Sequence, residues 1–332
     1  MEKYTLKFKR PGGTSRGVLY QKDTYLLKLE KDSKQGIGEC NLFKGLSADD
    51  VEDYEQILND FCQQINLGNS INLDDWRRFP SIQFGFEQAW LSLHSESNVL
   101  FPSAFTQGKE GLRINGLIWM GDSAFMRLQI REKLEQGFTC LKLKIGQNWQ
   151  EEKQILTAIR NDFSASILEL RVDANGAFSH MEVFQVLNEL NTLQIHSIEQ
   201  PIRAGNWEKM AELCASTPVP IALDEELIGV FDEKVKNELM HIIRPQYIIL
   251  KPALVGGFRG SLEWIDLAKK YDAGWWITSA LESNIGLNAL AQWTFNLQNP
   301  MPQGLGTGGL FTNNFPSPLE IRGEKLWFNS AL

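Results

Sequence analysis

Apolar and polar positions divide the chain into a short irregular part and a long periodic one. In YTLKFKR (4–10) and in residues 17–31 they alternate, as in strands with one buried face, and GIGECNLF adds a further strand-like stretch ending near Phe43. The connection PGGTSRG (11–17) carries Gly12 and Gly13 and reads as a loop. Ser47 followed by Asp49 and Asp50 has the composition of a helix start. Val51, Tyr54, Ile57, Leu58, Phe61 and Ile65 then repeat at helical spacing to about Leu67. A second helix is predicted after Pro80, with Phe84, Phe86, Ala89, Trp90 and Leu93 as its apolar positions. Strands followed by helices, without alternation, predict a small α+β domain over residues 1–105.

From Leu112 the pattern becomes a regular strand–helix alternation. LRINGLIWM reads as a strand and residues 123–137 as a helix stopping at Gly137. TCLKLKIG, LELRVDANG, QIHSIEQP, VPIALDEE, QYIILKP and GWWITSALES read as further strand ends, each followed by a helical stretch, and a last short strand near Gly304 would close the ring. A βα series of this length predicts an α/β fold with a closed parallel barrel over residues 106–310. From about Phe311 the repeat is lost, and residues 311–332 are expected to pack back on the N-terminal domain and complete it.

Charged residues stand at the tips of these apolar strands, where packing alone calls for none. From Lys144 to Asp173 is 29 residues, then 26 to Glu199, 25 to Asp224 and 27 to Lys251. That is the length of one strand-plus-helix unit when a barrel of ~250 residues is divided eightfold, and charges at the C-terminal tips of successive strands converge on one mouth. Residues two apart share a face of a strand, so Lys142 points with Lys144, and Asn175 with Asp173.

Composition narrows the partners. Hydrophobic content of 43% and charged content of 22% over 332 residues are those of a globular chain. A net charge of −8 without a basic block argues against nucleic acid and anionic membrane as partners. No apolar run approaches the ~20 residues of a membrane span, and MEKYTLKFKR lacks the apolar centre of a signal peptide. Cys40, Cys62, Cys140 and Cys214 are scattered without a CxxC pair and fit reduced thiols in a cytoplasm. The histidines show no ligand spacing, which argues against zinc.

Burying a charge without a partner costs several kcal/mol or forces neutralisation. Asp173, Glu199 and Asp224, on neighbouring strands with no histidine or cysteine near, suit a hard cation that prefers oxygen, Mg²⁺ first. The competing reading is a structural layer in which each acid pairs with a lysine; it explains a single acid well, and three acids with three lysines at a steady interval poorly. A lysine is a weak base at its ordinary pKa of ~10.4, but a second ammonium and a divalent cation nearby are expected to lower it. On this reading Lys144 is the base, Lys142 its electrostatic tuner, and Lys251 a second base or a fixed cation on the far wall.

The motifs KLK (142–144), VDAN (172–175), IEQP (198–201), LDEE (223–226) and LKP (250–252) together resemble the enolase superfamily, in its muconate-lactonizing-enzyme-like subgroup. That resemblance implies a modified (β/α)₇β barrel of the TIM type under an α+β capping domain, with Asp173, Glu199 and Asp224 holding Mg²⁺, for which Mn²⁺ could substitute. SALESNIGLNALAQW (279–293) and GLGTGGLF (304–311) are similar to the o-succinylbenzoate synthase family within it. This implies dehydration of a small dicarboxylate, 2-succinyl-6-hydroxy-2,4-cyclohexadiene-1-carboxylate, in menaquinone biosynthesis. Lys144 would take and return a proton, and Lys251 would stabilise charge across the ring. Candidate substrate contacts are Ser279, Asn175 and, from the glycine-bearing loop, Arg16, which could face the succinyl carboxylate. Two positions depart from the family pattern, Gly176 after VDAN and Glu226 in LDEE. N-succinylamino acid racemase, dipeptide epimerase and cycloisomerase are the rival activities, and a non-catalytic scaffold is the rival class. QGLGTGGL (303–310) has no acid to hold a dipeptide ammonium. Oligomeric state is not legible.

Overall fold

The computed structural model describes residues 1–14 and 17–330. The chain opens with β1 (Glu2–Thr14), β2 (Gly17–Lys31) and β3 (Lys34–Cys40), an antiparallel sheet in that order, followed by α1 (Tyr54–Asn66) and α2 (Pro80–Leu93). Tyr25, Leu27 and Leu29 alternate onto the buried face of β2 and meet Leu58 and Phe61 of α1 and Ile82, Ala89 and Leu93 of α2. Contact between β3 and α2 is backbone to backbone: a Cβ on Gly38 would lie 2.0 Å from the Gly85 carbonyl oxygen, so only glycine fits there.

Two expectations for this region change. Ser47 does not start a helix. Its Oγ accepts from Phe43 N at 2.8 Å, and α1 begins only at Tyr54. The buried Asp49 carboxylate instead accepts from Ser81 N at 2.9 Å and Ser81 Oγ at 2.6 Å, satisfying the open start of α2. The stretch 11–17 is largely strand, since β1 and β2 pair as far as Gly12–Leu19 and Thr14–Gly17. Arg16 lies outside the described residues.

The second part runs β4 (Leu112–Arg113), β5 (Gly116–Ile118), α3 (Ser123–Glu135), β6 (Cys140–Lys144), α4 (Trp149–Asp162), β7 (Glu169–Asp173), α5 (Val183–Thr192), β8 (Ser197–Glu199), α6 (Trp207–Ser216), β9 (Ile221–Leu223), α7 (Glu233–Ile243), β10 (Tyr247–Leu250), α8 (Pro252–Val255), α9 (Gly257–Lys270), β11 (Gly274–Ile277) and α10 (Asn284–Asn296). Strands β5 to β11 form a parallel sheet in sequence order, and single bridges Thr278–Gly304 and Ile114–Gln303 complete the ring. This is the expected parallel barrel. LRINGLIWM, however, is two strands rather than one: β4 leaves the barrel at Asn115 and pairs with β13 (Lys325–Phe328), itself paired with β12 (Leu319–Arg322).

Residues 311–313 lie along β1, with Phe8 bridged to Phe311 and Thr312 N donating to Lys7 O at 2.8 Å. The N-terminal unit also completes two barrel helices. Glu39 of β3 accepts from Ser283 N and Gly286 N at the start of α10, and Glu87 of α2 accepts from Phe258 N and Arg259 N in the first turn of α9. Orphan N–H groups at a helix start favour such carboxylates.

Candidate active site

Strand register brings the charged tips together. Lys144 pairs with Asp173 across β6–β7, and Asp173 with Glu199 across β7–β8, while Asp224 and Lys251 directly follow β9 and β10. Lys142 Nζ donates to Glu199 Oε2 and lies 3.1 Å from Asp173 Oδ2. Lys144 Nζ is 2.6 Å from both Asp173 Oδ2 and Asn175 Oδ1. Lys251 Nζ binds Asp224 Oδ2 and stands 3.9 Å from Glu199 Oε1. All six predicted charges therefore meet in one network, with Lys144 and Lys251 its most open members at 14% and 11% side-chain exposure. β6 and β10 are four strands apart in the ring, so these two lysines come from opposite walls.

Asn175 holds a left-handed backbone (φ 45°), fixed by Asn175 N donating to Asp173 Oδ1 at 3.1 Å. Its Nδ2 donates to Glu225 Oε1 at 2.9 Å. Glu225 is thus a site residue that the sequence analysis did not single out, having noted only Glu226 beside it. Strand parity would put Glu226 with Asp224, but β9 ends at Leu223 and a 3₁₀ turn follows, which reverses the faces. Glu226 instead accepts from Gln200 Nε2 and Gly205 N, holding a loop. Gly176 has φ 73°, and a Cβ there would lie 2.9 Å from Arg203 Cα, so a bulkier residue does not fit this backbone.

Burial works against the charged form of Lys142, but Asp173 and Glu199 outweigh it and hold its pKa above the ordinary lysine value. Lys251 is likewise raised, burial being outweighed by Asp224 and Glu199. In both lysines the direction is set by a carboxylate that stands closer than any other ammonium. Burial also opposes the charge on Asp173, yet Lys142 and Lys144 keep its carboxyl well below the usual range. Glu199 is pushed well up by burial and by Asp173. Burial and Asp224 raise Glu225.

This donor set fits a hard divalent cation. Three carboxylates from adjacent strands offer only oxygen, and Glu199 Oε1 is buried with no hydrogen-bond partner among the described residues. As they stand the carboxylates turn to the lysines, and among the described residues no three acidic, histidine or cysteine groups are gathered closely enough to hold an ion.

The network opens on a cavity of about 100 Å³ whose apolar lining includes Leu117, Trp119 and Leu281 from the barrel and Phe43 and Leu46 from the N-terminal unit. Ser279 lines it too, but its hydroxyl donates to Glu282 Oε2 at 2.5 Å and accepts from Thr307 Oγ1 at 2.8 Å and Leu281 N at 3.0 Å. One donor and two acceptor sites are all a serine has, so Ser279 has none left for a ligand. Asn115 and Thr278, which the sequence reading did not single out, line the same cavity.

A barrel that gathers lysines and carboxylates on its strand tips under an α+β cap defines a class. Residues 126–329 match the family described as enolase C-terminal domain-like, and the chain belongs to it. Across almost its whole length the chain is 46% identical to the o-succinylbenzoate synthase of Desulfotalea psychrophila, covering 97% of this chain and 96% of that one. The crystal structure of MenC from Desulfotalea psychrophila superposes with a TM-score of 0.88 at 43% identity, covering 98% of both chains. Muconate lactonizing enzyme from Pseudomonas putida shares the fold, with a TM-score of 0.77 at 23% identity over 98% of this chain and 93% of that one. The resemblance carried by the five motifs holds. Among the described residues no helix is long and apolar enough to cross a membrane, and all four cysteines are free thiols.

Proposed function

We propose that this chain is an o-succinylbenzoate synthase of menaquinone biosynthesis, working in the cytoplasm on 2-succinyl-6-hydroxy-2,4-cyclohexadiene-1-carboxylate. The observation that carries the reading is the pair Lys144 and Lys251, on opposite walls of one cavity with three carboxylates on the strands between them. In its neutral form Lys144 takes the proton alpha to the ring carboxylate and becomes an ammonium. It then returns that proton to the departing hydroxide, so that water leaves and the ring becomes aromatic. Lys251, kept charged by Asp224 and Glu199, stands across the ring and offsets the negative charge that builds on the substrate. Asp173, Glu199 and Asp224 would hold Mg²⁺, or Mn²⁺ in its place. Its chemistry there is Lewis-acid stabilisation of the substrate carboxylate. Lys142 ties Asp173 to Glu199, and Asn175 orients the Lys144 ammonium through its 2.6 Å contact. The apolar lining excludes water while the charge develops.

Two lysines on opposite walls also suit a proton removed from one face and returned on the other, so racemisation of N-succinylamino acids is the second reading. The test is loss of the cyclohexadiene absorbance with Mg²⁺, with EDTA and with Lys144→Ala. EDTA-sensitive turnover that disappears in the variant is expected. Absence of turnover in the unaltered protein overturns the synthase reading, and α-proton exchange in N-succinylamino acids would then support the second.

A further inference from the structure

The ring of strands is functionally lopsided. Carboxylates stand at β7, β8 and β9 and lysines at β6 and β10; the remaining wall is built from β11, the segment at 303–304 and β5. This wall faces the carboxylates across the cavity and carries no charge. Apart from Ser279 and Thr307, which are bonded to each other, its polar side chains are Thr278, bridged to Gly304, and Asn115, just before β5. Asn115 is only 3% exposed, yet its Oδ1 has no hydrogen-bond partner among the described residues. The Thr278 Oγ1 is also buried and without one. Gly304 separates them, and a Cβ there would come within 2.5 Å of Thr278 Oγ1. Buried polar groups are normally paired, so two orphans on one uncharged wall of a ligand cavity point to a ligand that pairs them.

We propose that Asn115 and Thr278 are a specificity-determining pair that hydrogen-bonds the ketone oxygen of the substrate's succinyl arm; this rests on the synthase reading. With the ring carboxylate directed at β7–β9, the rest of the ring extends toward the opposite wall. Among the described residues that line the cavity the cations are Lys142, Lys144 and Lys251, at β6 and β10, and Asn115 and Thr278 are themselves uncharged, so this pair suits a neutral oxygen. A ketone oxygen accepts two hydrogen bonds. The Thr278 hydroxyl donates one, and the Asn115 carboxamide, rotated so that Nδ2 stands where Oδ1 is now, donates the other. Gly304 keeps the approach to Thr278 clear.

The experiment is a cycle of ligand against variant on the Mg²⁺-loaded protein. The ligands are the product, 2-succinylbenzoate, and 2-(3-carboxypropyl)benzoate, in which a methylene replaces the ketone. The unaltered protein is expected to bind the product about tenfold tighter, the size of one or two neutral hydrogen bonds. Thr278→Val and Asn115→Leu should bring the two ligands to within about twofold, and should reduce kcat/KM mainly through KM. Thr278→Val is isosteric and carries the test alone if Asn115→Leu does not fold. A ketone preference that persists in the variants, or is absent from the unaltered protein, overturns the pair, whose orphan atoms would then be water sites. Turnover of the cyclohexadiene by the unaltered protein is measured first. Its absence overturns the synthase reading and this inference with it; turnover with an unchanged preference overturns the inference alone.

Discussion

Lys142→Met tests whether the buried lysine is what allows Asp173 and Glu199 to lie side by side. Lys142, Asp173 and Glu199 are 4%, 0% and 2% exposed, so water cannot replace the missing ammonium. Removing one partner of a buried ion pair costs about 3–5 kcal/mol, because the other charge is left uncompensated. Here Lys144 still touches Asp173 and Lys251 still stands 3.9 Å from Glu199, so neither carboxylate is left without a cation and the lower end, about 3 kcal/mol, is expected. At about 2.1 cal/mol/K per residue over 332 residues, the unfolding entropy is roughly 0.7 kcal/mol/K, and the loss corresponds to a fall in Tm of about 4 °C. The assay is thermal unfolding at pH 7 in EDTA and again with Mg²⁺ in excess. If the carboxylates are Mg²⁺ ligands, the ion supplies the missing positive charge and raises Tm more in the variant than in the unaltered protein. A fall of less than about 1 °C in EDTA would refute the argument that Lys142 is the compensating charge. An equal response to Mg²⁺ in both proteins would refute the assignment of the ion to these carboxylates.

Ser279→Ala should leave KM within about threefold, because its hydroxyl is already committed to Glu282, Thr307 and Leu281; a tenfold rise in KM would make it a substrate contact after all. Glu87 is pushed up to about 7 by burial. The folded form therefore binds its proton more tightly than the unfolded chain, and stability falls as pH rises from about 4.5 through 7, by on the order of 2–3 kcal/mol. In urea unfolding between pH 5 and 8, Glu87→Gln should lose that slope, and parallel profiles for the two proteins would contradict it. Gly176→Ala, at φ 73° and against Arg203, should cost about 1–3 kcal/mol and lower kcat by displacing Asn175, read from unfolding and turnover together; an unchanged kcat would separate that loop from the site.

The barrel and the site's charges were legible for one physical reason. Lysines and carboxylates in apolar strands are costly, so a periodic series of them stands out against a packing pattern. What was missed lies where the backbone breaks that pattern. Glu225 faces the site because a 3₁₀ turn replaces the strand after Leu223, and face counting by twos fails across a turn. Ser47 and Asp49 looked like one helix start because composition does not reveal that Asp49 caps a helix more than thirty residues on. Asn115 was hidden inside a stretch taken as a single strand, although Asn115–Gly116 is itself a turn signal and marks the exit of β4 from the barrel. Uncharged residues such as Asn115 and Thr278 cost nothing visible in a sequence; their significance appears only when their partners are counted.

The N-terminal unit is fastened to the barrel unevenly. Glu39 and Glu87 seat the starts of α10 and α9, and a buried chain runs from Lys22 through Asn41 to Glu282 and on to Ser279 and Thr307. These contacts all fall on the β10–β11 side. On the β5 side the hairpin meets the barrel through apolar contact, with Gly12 against Trp119 and with Phe8 and Leu19 packed in the same cluster. There a groove lined by Lys9 and Arg10 shares Asn115, Leu117, Trp119 and Gly306 with the active cavity. The two sides consequently separate two properties. Substitutions along the Lys22–Asn41–Glu282 chain act on stability, because they strand buried charge, whereas substitutions at Gly12 and Trp119 act on entry to the cavity, because both line the groove that shares its wall.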